Sequence, residues 1–226
     1  MIKFSRYIKQ ASTVALMLIS ANTLAATKII PNQPTVAAKG YILVDQVTGK
    51  ILAAENEHEL LAPASLTKLM TSFIIGRELK NGNLKNSDLV TVSENAWAKN
   101  FPDSSKMFIE VGKEISISDL NRGIVIQSGN DACVAMAEHI AGTEDGFADI
   151  MNNVASELGM TNSFFENSHG LDSTEHKTTA YDMALLARAI ISETPEEYAL
   201  YKEKFFTYNN IKQANRNSLL WDKSMN

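Results

Sequence analysis

The chain has 226 residues, 45% of them hydrophobic and 21% charged, the make-up of an ordinary globular protein with room for one large domain or two small ones. Its formal charge is −5, and without residues 1–26, which carry three cations and no acid, it is −8, an acidic balance that argues against a nucleic-acid partner. A lone cysteine, Cys133, excludes an intrachain disulfide, and the scattered His58, His139, His169 and His176, without a C-x-x-C or H-E-x-x-H string, support no metal or cofactor site.

At the N-terminus Lys3, Arg6 and Lys9 precede an apolar run from Ala11 to Ile19 and small residues from Ala21 to Ala26. That order predicts a secretory signal peptide over 1–26, cleaved near Ala25 or Ala26. The run is shorter than the roughly 20 residues a membrane-spanning helix needs. Residues 27–39, with Pro31 and Pro34, read as an extended lead-in. Gly40 to Asp45 and Lys50 to Ala54 then predict two strands of a hairpin, turning over Gln46-Val47-Thr48-Gly49.

Leu66, Leu69, Met70, Phe73 and Ile74 recur with helical spacing, which predicts a helix over about 65–79 that ends at Asn81-Gly82-Asn83. Further helices are signalled by Ser118 before Asp119-Leu120, by Asn130 before a run stopped at Gly142, and by Thr143 before a run stopped at Gly159. Thr179 opens another, and Thr194-Pro195-Glu196-Glu197 has the form of a capping box. Lys204 to Tyr208 is the only later strand-like stretch, so the expected fold is α+β, a helical block on an antiparallel sheet that is incomplete in this chain. No repeat or linker divides residues 27–226 into two domains.

The sharpest chemical feature is Pro63-Ala64-Ser65-Leu66-Thr67-Lys68, the only S-x-x-K in the chain. Three residues apart on a helix, Ser65 and Lys68 share a face, so the amine can reach the hydroxyl. At a helix start, unpaired N–H groups and the positive end of the dipole suit an oxyanion and disfavour a protonated lysine. A serine becomes a nucleophile when a base takes its proton, and a partly buried lysine can be that base. The bland alternative, a helical serine with a solvated lysine, leaves unexplained why a lysine stands in an otherwise apolar helix.

Ser128-Gly129-Asn130 lies between the apolar run Ile124-Val125-Ile126 and a new helix. Such a loop can project a hydroxyl and a carboxamide into a cleft while Gly129 supplies an unusual backbone geometry. S-x-N also occurs at Ser20, Ser93 and Ser224, and taken alone it reads more simply as a helix cap by Ser128 or Asn130.

Together the two motifs resemble the serine penicillin-recognising enzymes, whose signature is S-x-x-K, S-x-N and K-T-G. The longer blocks Pro63 to Thr71, Gln127 to Cys133, Asn167 to Asp172 and Asn215 to Trp221 resemble the D-alanyl-D-alanine carboxypeptidases among the low-molecular-mass penicillin-binding proteins, with their β-lactamase-like fold. This resemblance implies removal of the terminal D-alanine from a peptidoglycan stem peptide through an acyl-enzyme on Ser65, and β-lactam antibiotics as covalent inhibitors. Lys68 would be the base for acylation, Ser128 a proton relay to the leaving amine, and Asn130, with Gly129 and His169, part of the substrate site. It implies an exported, periplasmic protein, with membrane association through a C-terminal anchor in full-length members. There is no K-T-G, the nearest strings being Lys177-Thr178-Thr179 and Lys223-Ser224-Met225, so the expectation is a truncated catalytic domain with weak or no activity. A serine β-lactamase or a vestigial wall-binding protein would share the early motifs, but the E-x-x-L-N string of many lactamases is absent.

Overall fold

The computed structural model describes residues 34–225, so the predicted signal peptide and most of the lead-in lie outside the described residues. Strands β1 (Tyr41–Val44) and β2 (Ile51–Glu55) form the expected antiparallel hairpin. Asp45 closes its turn by accepting hydrogen bonds from the Thr48 amide (2.7 Å) and hydroxyl (2.6 Å). Gly49 takes φ +74°, and the Arg188 guanidinium lies where a Cβ would stand.

A 3₁₀ turn, Ala64–Thr67, leads into helix α1 (Lys68–Asn81), which stops at Gly82 in the left-handed conformation. The predicted apolar stripe holds for Met70, Phe73 and Ile74, all buried, but Leu66 is 55% exposed. The tighter 3₁₀ turn rotates residue 66 off the face that the α-helical spacing assigns to it.

β3 (Leu89–Thr91) and β4 (Glu114–Ser116) pair next, followed by α2 (Ile117–Gln127), α3 (Asn130–Ala141) and α4 (Glu144–Glu157). The cap of α2 is Ser116, two residues before the predicted Ser118, and its hydroxyl accepts from the Asp119 amide. Thr143 and Thr179 cap α4 and α5 (Ala180–Glu193) as expected, accepting from Gly146 and Asp182. The capping box at Thr194 does not form: Thr194 Oγ1 donates to the Ile190 carbonyl, and Glu197 turns inward to Asn121. The helix there, α6 (Pro195–Tyr198), is a single turn.

β5 (Phe205–Tyr208) pairs with β6 (Ile211–Ala214), so the described residues contain three separate two-stranded ribbons rather than the one later strand read from sequence. The α+β architecture holds, with the helices as the framework. Two apolar clusters fill it. One lies between α2, α3, the β3–β4 ribbon and Phe206; the other holds α1, α4 and α5 around Phe73, Phe147 and Phe165. Each of these fully buried rings contributes about 2–3 kcal/mol of transfer free energy. Helices α1 and α3 contribute to both clusters and pack against one another. No helix among the described residues is long and apolar enough to cross a membrane.

Candidate active site

Ser65 stands exposed on the 3₁₀ turn, and Lys68, the first residue of α1, is buried directly behind it at 5% exposure. The Ser65 N–H belongs to the first turn, where amides have no intrahelical acceptor. Ala64 precedes it with φ +47°, a conformation that costs a non-glycine residue on the order of 1–2 kcal/mol and persists only when its surroundings enforce it. The enforcing segment is 167–170. A Cβ on Gly170, at φ +87°, would fall 1.8 Å from the Ala64 carbonyl oxygen, so only glycine lets the two backbones meet. Thr71 Oγ1 donates to the Ser168 carbonyl (2.6 Å) and Lys68 Nζ to the His169 carbonyl (2.6 Å). Thr67 is held by His176: the imidazole accepts the Glu166 amide at Nδ1, so its proton is on Nε2 and is donated to Thr67 Oγ1 at 2.8 Å.

Lys68 Nζ is 3.4 Å from Ser65 Oγ. Burial holds the ammonium below the usual lysine range, and the Arg216 guanidinium adds to this while the Asp131 carboxylate opposes it. Cys133 would also oppose, but burial pushes its thiol up to about 12, so it is uncharged at neutral pH. A neutral amine here gives one N–H to the His169 carbonyl and keeps its lone pair for the Ser65 proton.

Ser128, Gly129 and Asn130 form the turn between α2 and α3, and the latter's Asp131 and Cys133 are the groups in electrostatic reach of Lys68. The geometry differs from expectation in one respect. Ser128, not Gly129, takes the left-handed conformation (φ +63°), whereas Gly129 has ordinary angles (φ −68°) and is needed for space, since a Cβ would meet the Met107 amide nitrogen at 3.0 Å. Neither side chain caps the helix. Ser128 Oγ is buried without a protein partner, and Asn130 donates through Nδ2 to Ser104 Oγ at 2.9 Å. No hydrogen bond links Ser128 to Ser65 or Lys68 among the described residues.

His169 serves Lys68 through its main-chain oxygen. Its ring accepts the Leu171 amide at Nδ1 (3.1 Å), turns Nε2 towards Glu144 (3.4 Å), and packs edge-on against Phe101. Burial, and to a smaller extent Lys68, hold the imidazole down to about 4 against the pull of Glu144, so it is neutral at pH 7.

Asp131 is a positioning residue that the sequence did not signal. Fully buried, it accepts the amides of Met107, Phe108, Ile109 and Ala132 at 2.7–3.1 Å. It thereby fastens segment 107–109 onto the first turn of α3, where Asn130 holds Ser104 and Ser105. An acid at a helix start reads as a dipole complement, and nothing local announces a reach of more than 20 residues.

The profile of the D-alanyl-D-alanine carboxypeptidase family, peptidase S11, matches residues 27–226. The chain belongs to this carboxypeptidase family. Among its relatives are D-alanyl-D-alanine carboxypeptidase DacC of Escherichia coli (47% identical, covering 96% of this chain and 55% of that protein) and DacA of Haemophilus influenzae (50% identical, 85% and 49%). The chain thus spans about half the length of these family members. Penicillin binding protein 5 of H. influenzae superposes with a TM-score of 0.84 at 48% identity, over 86% of this chain and 56% of that one. Penicillin binding protein 6B of E. coli does so with 0.84 at 46%, over 87% and 63%. The family fold is therefore present over most of this chain.

Proposed function

We propose that residues 27–226 carry the acyl-transfer site of an exported serine D-Ala-D-Ala carboxypeptidase that removes the terminal D-alanine from a peptidoglycan stem peptide and is acylated by β-lactams. The observation that carries this reading is the placement of Lys68: buried, held at its nitrogen by the His169 carbonyl, below its usual pKa, and 3.4 Å from an exposed serine hydroxyl. A ligand-bound relative supports the β-lactam half: Penicillin-Binding Protein D2 of Listeria monocytogenes, 26% identical with a TM-score of 0.72 over 84% of this chain and 77% of that one, is described in an ampicillin-bound form.

In this reaction Ser65 Oγ attacks the carbonyl carbon of the penultimate D-alanine as its proton passes to neutral Lys68. The oxyanion forms beside the Ser65 N–H, where a preorganised donor is typically worth a factor of about 10²–10³ in rate. Ser128 relays the proton to the departing amine, the C–N bond breaks, and free D-alanine leaves an ester on Ser65. Water, deprotonated by Lys68, cleaves the ester. Asn130, on the adjacent turn, is the polar anchor for the substrate backbone. The 226 residues contain no Lys-Thr-Gly, and no lysine among them is assigned to the substrate carboxylate.

Fluorescent penicillin tests the reading directly. The chain should take up a persistent label that disappears in Ser65→Ala. Label retained by that variant would refute Ser65 as the nucleophile, and rapid release of hydrolysed penicillin would favour a β-lactamase instead.

A further inference from the structure

Between Ser65 and Lys68 on the nucleophile turn stands Thr67, whose side chain is fully buried. One side of its hydroxyl fills the space beside Gly170, where a Cβ would stand 2.7 Å from Oγ1. The other side meets His176, 2% exposed, whose Nε2–H donates to it at 2.8 Å. The backbone that carries this ring is itself stitched down. Lys177 pairs with Phe164 through both its N–H and its carbonyl, and Thr178 does the same with Leu61, on the segment that leads into the turn. The imidazole is therefore a strut from a fixed segment to the turn that holds nucleophile and base.

Both ring nitrogens are committed. Nδ1 accepts the Glu166 amide at 3.1 Å, and the ring packs edge-on against Phe165 with centroids 5.6 Å apart. A neutral imidazole has one acceptor and one donor, and this position uses each of them. Protonation puts a second N–H on Nδ1, aimed at the Glu166 N–H, and two donors cannot share that contact. The ring is a rigid plane, so turning Nδ1 away from the amide also carries Nε2 off Thr67. Burial disfavours the imidazolium, the Glu166 carboxylate favours it and Lys177 opposes it. His169, on the 167–170 segment, repels a second imidazolium nearby, while Thr67 and Phe165 carry no charge.

We propose that His176 is a positioning residue for acylation, holding the Ser65–Lys68 turn through Thr67 only while its imidazole is neutral. This role rests on the acyl-transfer reading of Ser65 and Lys68. It adds an acid limit on acylation that is separate from protonation of Lys68. The lysine acts as base in every His176 variant, so its own pH dependence cancels in a ratio of their rates.

The test compares the full 226-residue chain with His176→Gln, His176→Ala and Thr67→Val in penicillin acylation from about pH 4.5 to 8, while NMR follows the His176 imidazole and the 65–68 amides. A carboxamide offers one acceptor and one donor about as far apart as the ring nitrogens and does not titrate, so His176→Gln should acylate within about twofold of the parent at pH 8. His176→Ala and Thr67→Val lose the bond and should be about tenfold slower at that pH, the effect of one buried hydrogen bond. As the imidazole becomes protonated below the ordinary histidine value of 6.5, the parent-to-Gln ratio should fall by a similar factor of about ten. The parent's 65–68 amides should shift with the same midpoint, and those of His176→Gln should not. A ratio that stays flat through the imidazole titration, an imidazole neutral across the whole range, Thr67→Val as fast as the parent, or 65–68 amides that ignore the titration would each overturn the proposal. If the parent takes no label at any pH, the acyl-transfer reading of Ser65 falls, and the amide titration alone decides whether His176 holds the turn.

Discussion

Lys68 works as a base only to the extent that it is neutral, and its burial shifts it in that direction. Penicillin acylation should therefore rise with pH through the lysine's folded pKa and level off below 10.5, the ordinary lysine value. Lys68→Arg keeps the charge but cannot release the proton, and stopped-flow acylation should fall by about 10²–10⁴. A second prediction concerns Gly170. Gly170→Ala would drive a methyl group into the Ala64 carbonyl at a positive φ. We expect a loss of about 2–4 kcal/mol in denaturant unfolding, with slower labelling of Ser65, because the strained residue before the nucleophile loses its clamp. An unchanged melt and unchanged labelling would mean that the 167–170 segment does not hold the nucleophile turn.

Elements matter here through their ends. Helix α3 begins at Asn130, and Asp131 uses its carboxylate to pin the amides of 107–109 to that first turn. Asp131→Asn changes one acceptor into a donor that faces backbone N–H groups, at almost constant volume. Stability should drop by about 2–4 kcal/mol, and protection of the 107–109 amides in hydrogen exchange should fall more than that of the α4 core. Equal loss of protection everywhere would mean that Asp131 acts on the whole fold rather than on the loop that carries Ser104. The same scale explains the missing capping box: Glu197 has a buried partner in Asn121, and a side chain committed inward cannot also reach back to the Thr194 amide.

For the molecule as a whole, two buried groups pull stability in opposite directions with pH. His169 is held down to about 4, so the unfolded chain binds a proton that the native state refuses, and its contribution is lost as pH falls from about 6.5 to 4. Glu197 is raised from 4.5 to about 7, so the native state keeps a proton that the unfolded chain releases, and its contribution is lost as pH rises from 4.5 to 7. Glu197→Gln removes only the second effect. Relative to the parent, this variant should gain on the order of 2–3 kcal/mol between pH 4.5 and 7.5. In thermal melts that gain corresponds to a relative rise of several degrees for a chain of this size. A difference that stays flat with pH would mean that Glu197 is not held protonated in the native state.

Local patterns alone determined the hairpin, the helix caps at Thr143 and Thr179, the left-handed stops at Gly82 and Gly159, and the pairing of Ser65 with Lys68, because each depends on residues within one or two turns of one another. The order of the motif blocks carried the family for the same reason, since it needs no three-dimensional information. Packing alone decided that Lys68 is held by a carbonyl 101 positions away, that Gly170 must be glycine because of Ala64, that Ser128 rather than Gly129 bends backwards, and that Glu197 faces a cavity. Each of these depends on which distant backbone arrives beside a residue, and periodicity and propensity describe only a residue's own neighbourhood. The burial that lowers the Lys68 pKa is likewise a property of what surrounds it, and exists only in the folded chain.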